Sequence, residues 1–169
     1  NSQVSTPDFI QTDVPLAPMT TLGVGGAARY FADVRDQAEL TEVLRWSRNA
    51  QLPVLILGEG SNVLIADVGY QGVVLRIGTE GIRYTRREQH VFVHVESGEN
   101  WDALVARCTK DDLAGIECLA GIPGRVGAAP IQNIGAYGQE LASVVHGVRC
   151  MDRFSGELIE FSHQDCAFD

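Results

Sequence analysis

The chain alternates short apolar runs with two kinds of punctuation, and the runs differ in period. Ala28 to Val34 alternates weakly and predicts a strand. Asp36 then stands where its side chain can cap the next turn, with Glu39 three residues on completing a capping-box pattern. Leu40, Val43, Leu44 and Ser47 recur at i, i+3, i+4 and i+7, which predicts an amphipathic helix with one buried face. Pro53 precedes the unbroken apolar run Val54 to Leu57, the pattern of a buried strand, and Val73-Val74-Leu75 predicts another. Val91 to Val95 alternates with β-branched residues, so His90 and His94 fall on a strand and not on a metal-ligating helix face. Asn100 caps a predicted helix carrying Trp101, Leu104, Val105 and Cys108 on one side, a pattern of core rather than of cofactor contact. Val144 to Asp152 and Glu157 to Phe161 flank Arg153-Phe154-Ser155-Gly156 as a hairpin, and Ser162 with Asp165 marks a further helix start.

Two stretches break these periods with glycine. After Leu57 the apolar run stops at Gly58-Glu59-Gly60-Ser61-Asn62. A strand that gives way at once to small residues leaves successive amides free to converge on an anion, and Ser61 and Asn62 add side-chain donors. No Gly-Lys-Ser/Thr follows and the third glycine of the dinucleotide fingerprint is missing, so this is neither of the two commonest phosphate cradles. The second stretch, Gly121 to Glu140, carries glycine at 121, 124, 127, 135 and 138 and proline at 123 and 130. Its interleaved Ile122, Val126, Ile131, Ile134 and Tyr137 call for burial, which separates it from a disordered linker. It reads as a binding wall, or as a connector between two elements.

Composition narrows the setting. Hydrophobic and charged fractions of 45% and 21% are those of a globular protein, and 169 residues suffice for one or two small domains. No window approaches the roughly 18 apolar residues of a transmembrane helix, and Asn1 to Gln11 lacks the features of a signal peptide. The expected location is the cytoplasm, with no membrane partner. A net charge of -9 argues against nucleic acid but not against an anion held by local amides. Cys108, Cys118, Cys150 and Cys166 show no paired or metal-ligand spacing and are expected to be reduced, mostly buried thiols; no metal site is expected.

Taken with Thr20-Thr21-Leu22-Gly23-Val24-Gly25-Gly26, the two glycine stretches resemble in order and spacing the FAD-binding domain of the UDP-N-acetylenolpyruvoylglucosamine reductase (MurB) family. The string Pro130-Ile131-Gln132-Asn133-Ile134-Gly135-Ala136-Tyr137-Gly138-Gln139-Glu140 carries most of that resemblance, which extends from about Leu16 to Asp169. It implies an α+β fold of the MurB and vanillyl-alcohol-oxidase type, two α+β subdomains with the flavin between them. The expected layout is an N-terminal extension over 1–18, a first subdomain over 19–78 with the phosphate loop at 58–62, and a second over 79–169, with a mixed sheet built from strands after Val73. The implied cofactor is FAD, with NADPH as reductant and the nucleotide sugar UDP-N-acetylglucosamine-enolpyruvate as substrate, in peptidoglycan synthesis; a monomer is expected. The implied cofactor contacts are Gly58, Glu59, Gly60, Ser61 and Asn62 in the loop and Gly121, Ile122, Pro123, Gly124, Gly127, Ala128, Ala129, Gln132, Asn133, Ala136 and Tyr137 along the wall. Gln132 and Asn133 carry neutral amides suited to the polar edge of a flavin, to substrate, or to the loop's own backbone groups. Arg125 suits a phosphate or solvent. The family's Tyr-Arg pair, serine and glutamate have no counterparts up to Asp169, so no catalytic residue is assigned and the chain by itself is expected to be inactive. Two other readings share the loop: a different flavin oxidase or dehydrogenase of this fold, and a flavin- or nucleotide-binding module without chemistry.

Overall fold

A computed structural model describes residues 5–168. Residues 1–4, where the stretch without signal-peptide features begins, and residue 169 lie outside the described residues. The chain forms two compact units: one runs up to Gly78 and includes Arg153–Gly156, the other comprises Thr79–Asp152 and resumes at Glu157.

The first unit is a four-stranded sheet with one helix. In chain order it contains β1 (Gln11–Pro15), β2 (Ala27–Val34), α1 (Gln37–Asn49), β3 (Val54–Leu57) and β4 (Tyr70–Ile77). The strand order is β1-β2-β4-β3; β4 runs parallel to both β2 and β3, and β1 antiparallel to β2. β1 lies within residues 1–18, where an extension is expected. Ile10 and Leu16 on either side of it are buried, so this segment belongs to the sheet. Val73, Val74 and Leu75 of β4 are fully buried because the central strand is covered on both faces. On one face Ala32, Val34, Val73 and Leu75 meet Val43 and Trp46 of α1. On the other, Phe31, Val74 and Leu57 meet Leu16 and Ile65. β3 departs from the buried strand that its apolar run predicts: it is the edge, Ile56 is 50% exposed, and within it only Leu57 is buried. A continuous apolar run does not distinguish edge from centre.

Asp36 caps α1 by accepting from the Glu39 amide at 2.8 Å. The return bond lands one residue earlier than in a capping box, from the Arg35 amide to Glu39 Oε2 at 2.7 Å.

The second unit is built differently from the mixed sheet expected of it. The mixed sheet belongs to the first unit, since β4 inserts between β2 and β3. The second unit instead holds three antiparallel ribbons: β5 (Ile82–Arg87) with β6 (His90–Val95), then after α2 (Trp101–Lys110) and the one-turn α3 (Ala129–Gln132), β7 (Gly135–Ala136) with β8 (Gln139–Glu140), and finally β9 (Gly147–Met151) with β10 (Leu158–Ser162). Asn100 caps α2 through the Ala103 amide at 2.9 Å. Trp101, Leu104, Val105 and Cys108 are all buried, in a core completed by Leu119, Ala129 and Leu141 with Ile82, Val93 and Val95 against it. Of the thiols only Cys108 is buried; Cys118 and Cys150 are exposed and Cys166 half-buried, contrary to expectation, and all four are free. Leu119 takes the inward place in the turn that carries Cys118, and Cys150 stands on a two-stranded ribbon. Beyond β10, Asp165 bonds the Ser162 amide at 3.1 Å, and the predicted helix start is a single turn.

Asp33 and Arg76 are register partners across β2 and β4 and pair at 2.6 Å, with side chains 19% and 32% exposed. Hydrogen bonding to Arg76 holds the Asp33 carboxyl below its ordinary 3.8. Because the folded value is the depressed one, this contribution is present above pH 3.8 and is lost as pH falls through the folded value. Asp33→Asn is therefore expected to cost about 1 kcal/mol of unfolding free energy at pH 7, and the difference from wild type to shrink as pH falls below 3.8, checked by urea titration across that range.

Candidate functional site

The two glycine stretches lie in separate units and are held by different means. In the first unit, the loop that leaves β3 is fixed by the earlier Thr20 to Gly26 motif. The Thr21 amide donates to the Gly60 carbonyl at 3.0 Å and the Gly26 amide to the Ala66 carbonyl at 3.0 Å. Thr20 is buried, its hydroxyl within 3.2 Å of the carbonyls of both Ala17 and Val24. Gly60 is the point of closest approach: its φ is +70° and a Cβ would stand 2.1 Å from the Met19 carbonyl oxygen. Gly58 has open space around the same position and an ordinary φ.

Pinned at Gly60, the loop turns its other groups outward. Gly58, Glu59, Ser61 and Asn62 are exposed. Among the described residues no acceptor is hydrogen-bonded to the amides of Gly58, Gly60, Ser61 or Asn62. Four amides without partners on a restrained loop, with a hydroxyl and a carboxamide beside them, make a donor set suited to a phosphate. Leu22, Val24, Ile56, Leu64 and Val68 of the same unit are exposed, leaving apolar surface in the segments that form and flank the loop.

In the second unit the wall is fastened to the segment Ser97 to Asp102, whose own sequence shows only a loop and a helix start. The Trp101 amide donates to the Gly124 carbonyl at 3.0 Å, Val126 to Glu99 at 2.9 Å and Gly127 to Ser97 at 2.9 Å. Gly127 approaches so closely that a Cβ would stand 2.6 Å from the Ser97 Cβ. Arg125 donates through Nη1 to the Gly98 carbonyl, so its guanidinium serves this seam. Asn133 takes a left-handed conformation (φ 39°) at the end of α3, and its Oδ1 accepts from the Ala142 amide at 3.1 Å. Of its possible roles, Asn133 thus fills that of satisfying the loop's backbone, whereas Gln132 is exposed. Tyr137 and Gly138 both have positive φ and join β7 to β8 as a two-residue hairpin turn of the type that glycine favours.

The five apolar residues expected to be buried divide. Ile122, Val126 and Ile134 pack on the core, but Ile131 and Tyr137 are 85% and 94% exposed. With Ala129 buried at one side of α3, Ile131 projects from the other, and Tyr137 occupies the tip of a turn. Of the remaining wall residues, Gly121 and Pro123 are exposed, Gly124, Ala128 and Ala136 half-buried. The wall thus presents Ile131, Gln132 and Tyr137 outward on a backbone fastened from behind. Among the described residues no three His, Cys, Asp or Glu side chains are grouped to hold a metal, and no helix is long and apolar enough to cross a membrane.

Comparison with known proteins decides the family. A family model described as FAD binding domain matches residues 28–162, which include both glycine stretches. The chain belongs to that FAD-binding domain family. It is 47% identical over 161 residues to the UDP-N-acetylenolpyruvoylglucosamine reductase of Pseudomonas syringae pv. tomato, covering 94% of this chain and 47% of the relative. With the enzyme of the same name from Thermobifida fusca it shares 43% over 157 residues, 92% of this chain and 44% of the relative. The chain therefore spans about half the length of these relatives. Among solved structures, the MurB of Thermus caldophilus superimposes with a TM-score of 0.72 at 28% identity, over 93% of this chain and 54% of that one. A solvent-stable cholesterol oxidase superimposes with a TM-score of 0.67 at 19% identity, over 90% and 32%, a likeness of fold alone. The two-unit α+β architecture is thus that of flavin-binding domains.

The contrast between the two loop glycines is directly testable. Gly60→Ala is expected to lower unfolding free energy by more than about 2 kcal/mol and Gly58→Ala by less than about 0.5 kcal/mol. Equal losses in chemical denaturation would show that the Met19 contact does not hold the loop.

Proposed function

We propose that this chain is the FAD-binding portion of an NADPH-dependent UDP-N-acetylenolpyruvoylglucosamine reductase, a cytoplasmic enzyme of peptidoglycan synthesis that acts on a nucleotide sugar. The observation that carries the reading is the loop Gly58 to Asn62, held at Gly60 while four of its amides lack partners. Its residues fit a dinucleotide cofactor: the amides of Gly58, Glu59, Gly60, Ser61 and Asn62 would take the pyrophosphate, and Ser61 and Asn62 side chains would extend that set. Glu59 is exposed and can direct its carboxylate away from the anion. In the second unit Gly121, Ile122, Pro123, Gly124, Gly127, Ala128, Ala129, Gln132, Asn133, Ala136 and Tyr137 would line the cofactor. Ala129 and Asn133 would do so through backbone, since the first is buried and the second is engaged with Ala142.

The chemistry available with FAD bound is hydride transfer from NADPH to the enolpyruvyl group of the substrate. The chain's own residues bind and orient; none is assigned a proton or electron step. The relatives' names favour this over another oxidase of the fold, because the likeness to the cholesterol oxidase stops at architecture. A monomer with neither nucleic-acid nor membrane partner completes the reading, consistent with the net charge of -9.

Purified chain mixed with FAD and desalted is expected to keep a shifted flavin absorption spectrum at about one FAD per chain, the stoichiometry of a single dinucleotide site. Loss of all flavin by this chain, and by a version extended to the full length of its relatives, would overturn the proposal.

A further inference from the structure

We propose that Asp102, which no comparison assigns, is a positioning residue for the cofactor wall; this rests on the reading that the wall lines FAD. Side chains hold by the backbone three of the four residues from Cys118 to Gly121, the last of which begins the wall. Gln139 Oε1 accepts from the Cys118 amide at 2.9 Å, Trp101 Nε1 donates to the Leu119 carbonyl at 3.0 Å, and Asp102 Oδ1 accepts from the Gly121 amide at 2.7 Å. Trp101 and Leu119 are core residues, 3% and 0% exposed, so their bond is inseparable from folding. Asp102 is exposed, and its bond restrains the first residue of the wall.

Gly121 has a φ of +77° and no atom within 4 Å of where a Cβ would stand, so no neighbour packs against that side of the residue, and its amide is held by the Asp102 carboxylate. Asp102 suits this task because Asn100 and α2 fix where it stands. It lies in the first turn of α2, which places its Oδ1 2.7 Å from the Gly121 amide. Release of the Gly121 amide would free the peptide leading into Ile122 and Pro123, while the Trp101–Gly124 bond and the seam beyond it stay intact.

The test compares wild type, Asp102→Ala and Asp102→Asn by FAD titration and by amide hydrogen exchange of the cofactor-free chain. Asp102→Ala is expected to bind FAD about tenfold more weakly and to exchange faster at Gly121, with a melting temperature within about 2 °C of wild type. Asp102→Asn keeps an acceptor oxygen and is expected to restore both. Wild type that binds FAD alongside an Asp102→Ala variant of equal affinity would overturn the inference alone, as would an Asp102→Asn variant no better than Asp102→Ala. Failure to bind FAD by the wild-type chain and by its version extended to the full length of its relatives would overturn the FAD reading and this inference with it.

Discussion

The approach of Gly60 to the Met19 carbonyl is the constraint on which the first glycine stretch depends. A loop can offer its amides to a ligand only if it does not spend them on itself and does not move away when they are vacant. Here the restraint comes through the carbonyl of Gly60, which accepts from Thr21, and through steric contact that leaves no room for a side chain. The Thr20 to Gly26 motif is thus a brace for the loop.

The second stretch meets the same requirement with different parts. Its brace is the segment from Ser97 to the first turn of α2, which exchanges backbone hydrogen bonds with Gly124, Val126 and Gly127. Side chains close the remaining gaps: Arg125 on Gly98, Gln139 on Cys118, Asp102 on Gly121 and Asn133 on Ala142. α2 therefore serves two purposes. Its apolar face completes the core, and its amino-terminal end holds the wall.

Elements with a strong local signal are legible in the sequence. The β2-α1 pair with Asp36 as its cap, the Asn100-capped helix and the positions of both glycine stretches follow from period and capping chemistry. Features that depend on pairing between distant segments are not. Nothing in Val54 to Leu57 says that β4 will insert beside it and leave it at the edge. Nothing in a glycine-rich run without period says that Ile131 and Tyr137 face outward while Ile134 faces in. The role of Ser97 to Asp102 is hidden for the same reason, because its partners lie between 19 residues (Asp102 to Gly121) and 30 residues (Ser97 to Gly127) further on. The hairpin at Tyr137-Gly138 does carry a signal: a two-residue turn ending in glycine between Gly135-Ala136 and Gln139-Glu140.

Amide chemical-shift mapping of the isotope-labelled chain during FAD addition tests the proposed assignment of the loop and of the wall to FAD. Saturable shifts are expected at Gly58, Gly60, Ser61 and Asn62 and, in the same titration, along Gly121 to Tyr137, with little change in α1. Shifts confined to one stretch, or centred on residues outside both, would contradict it.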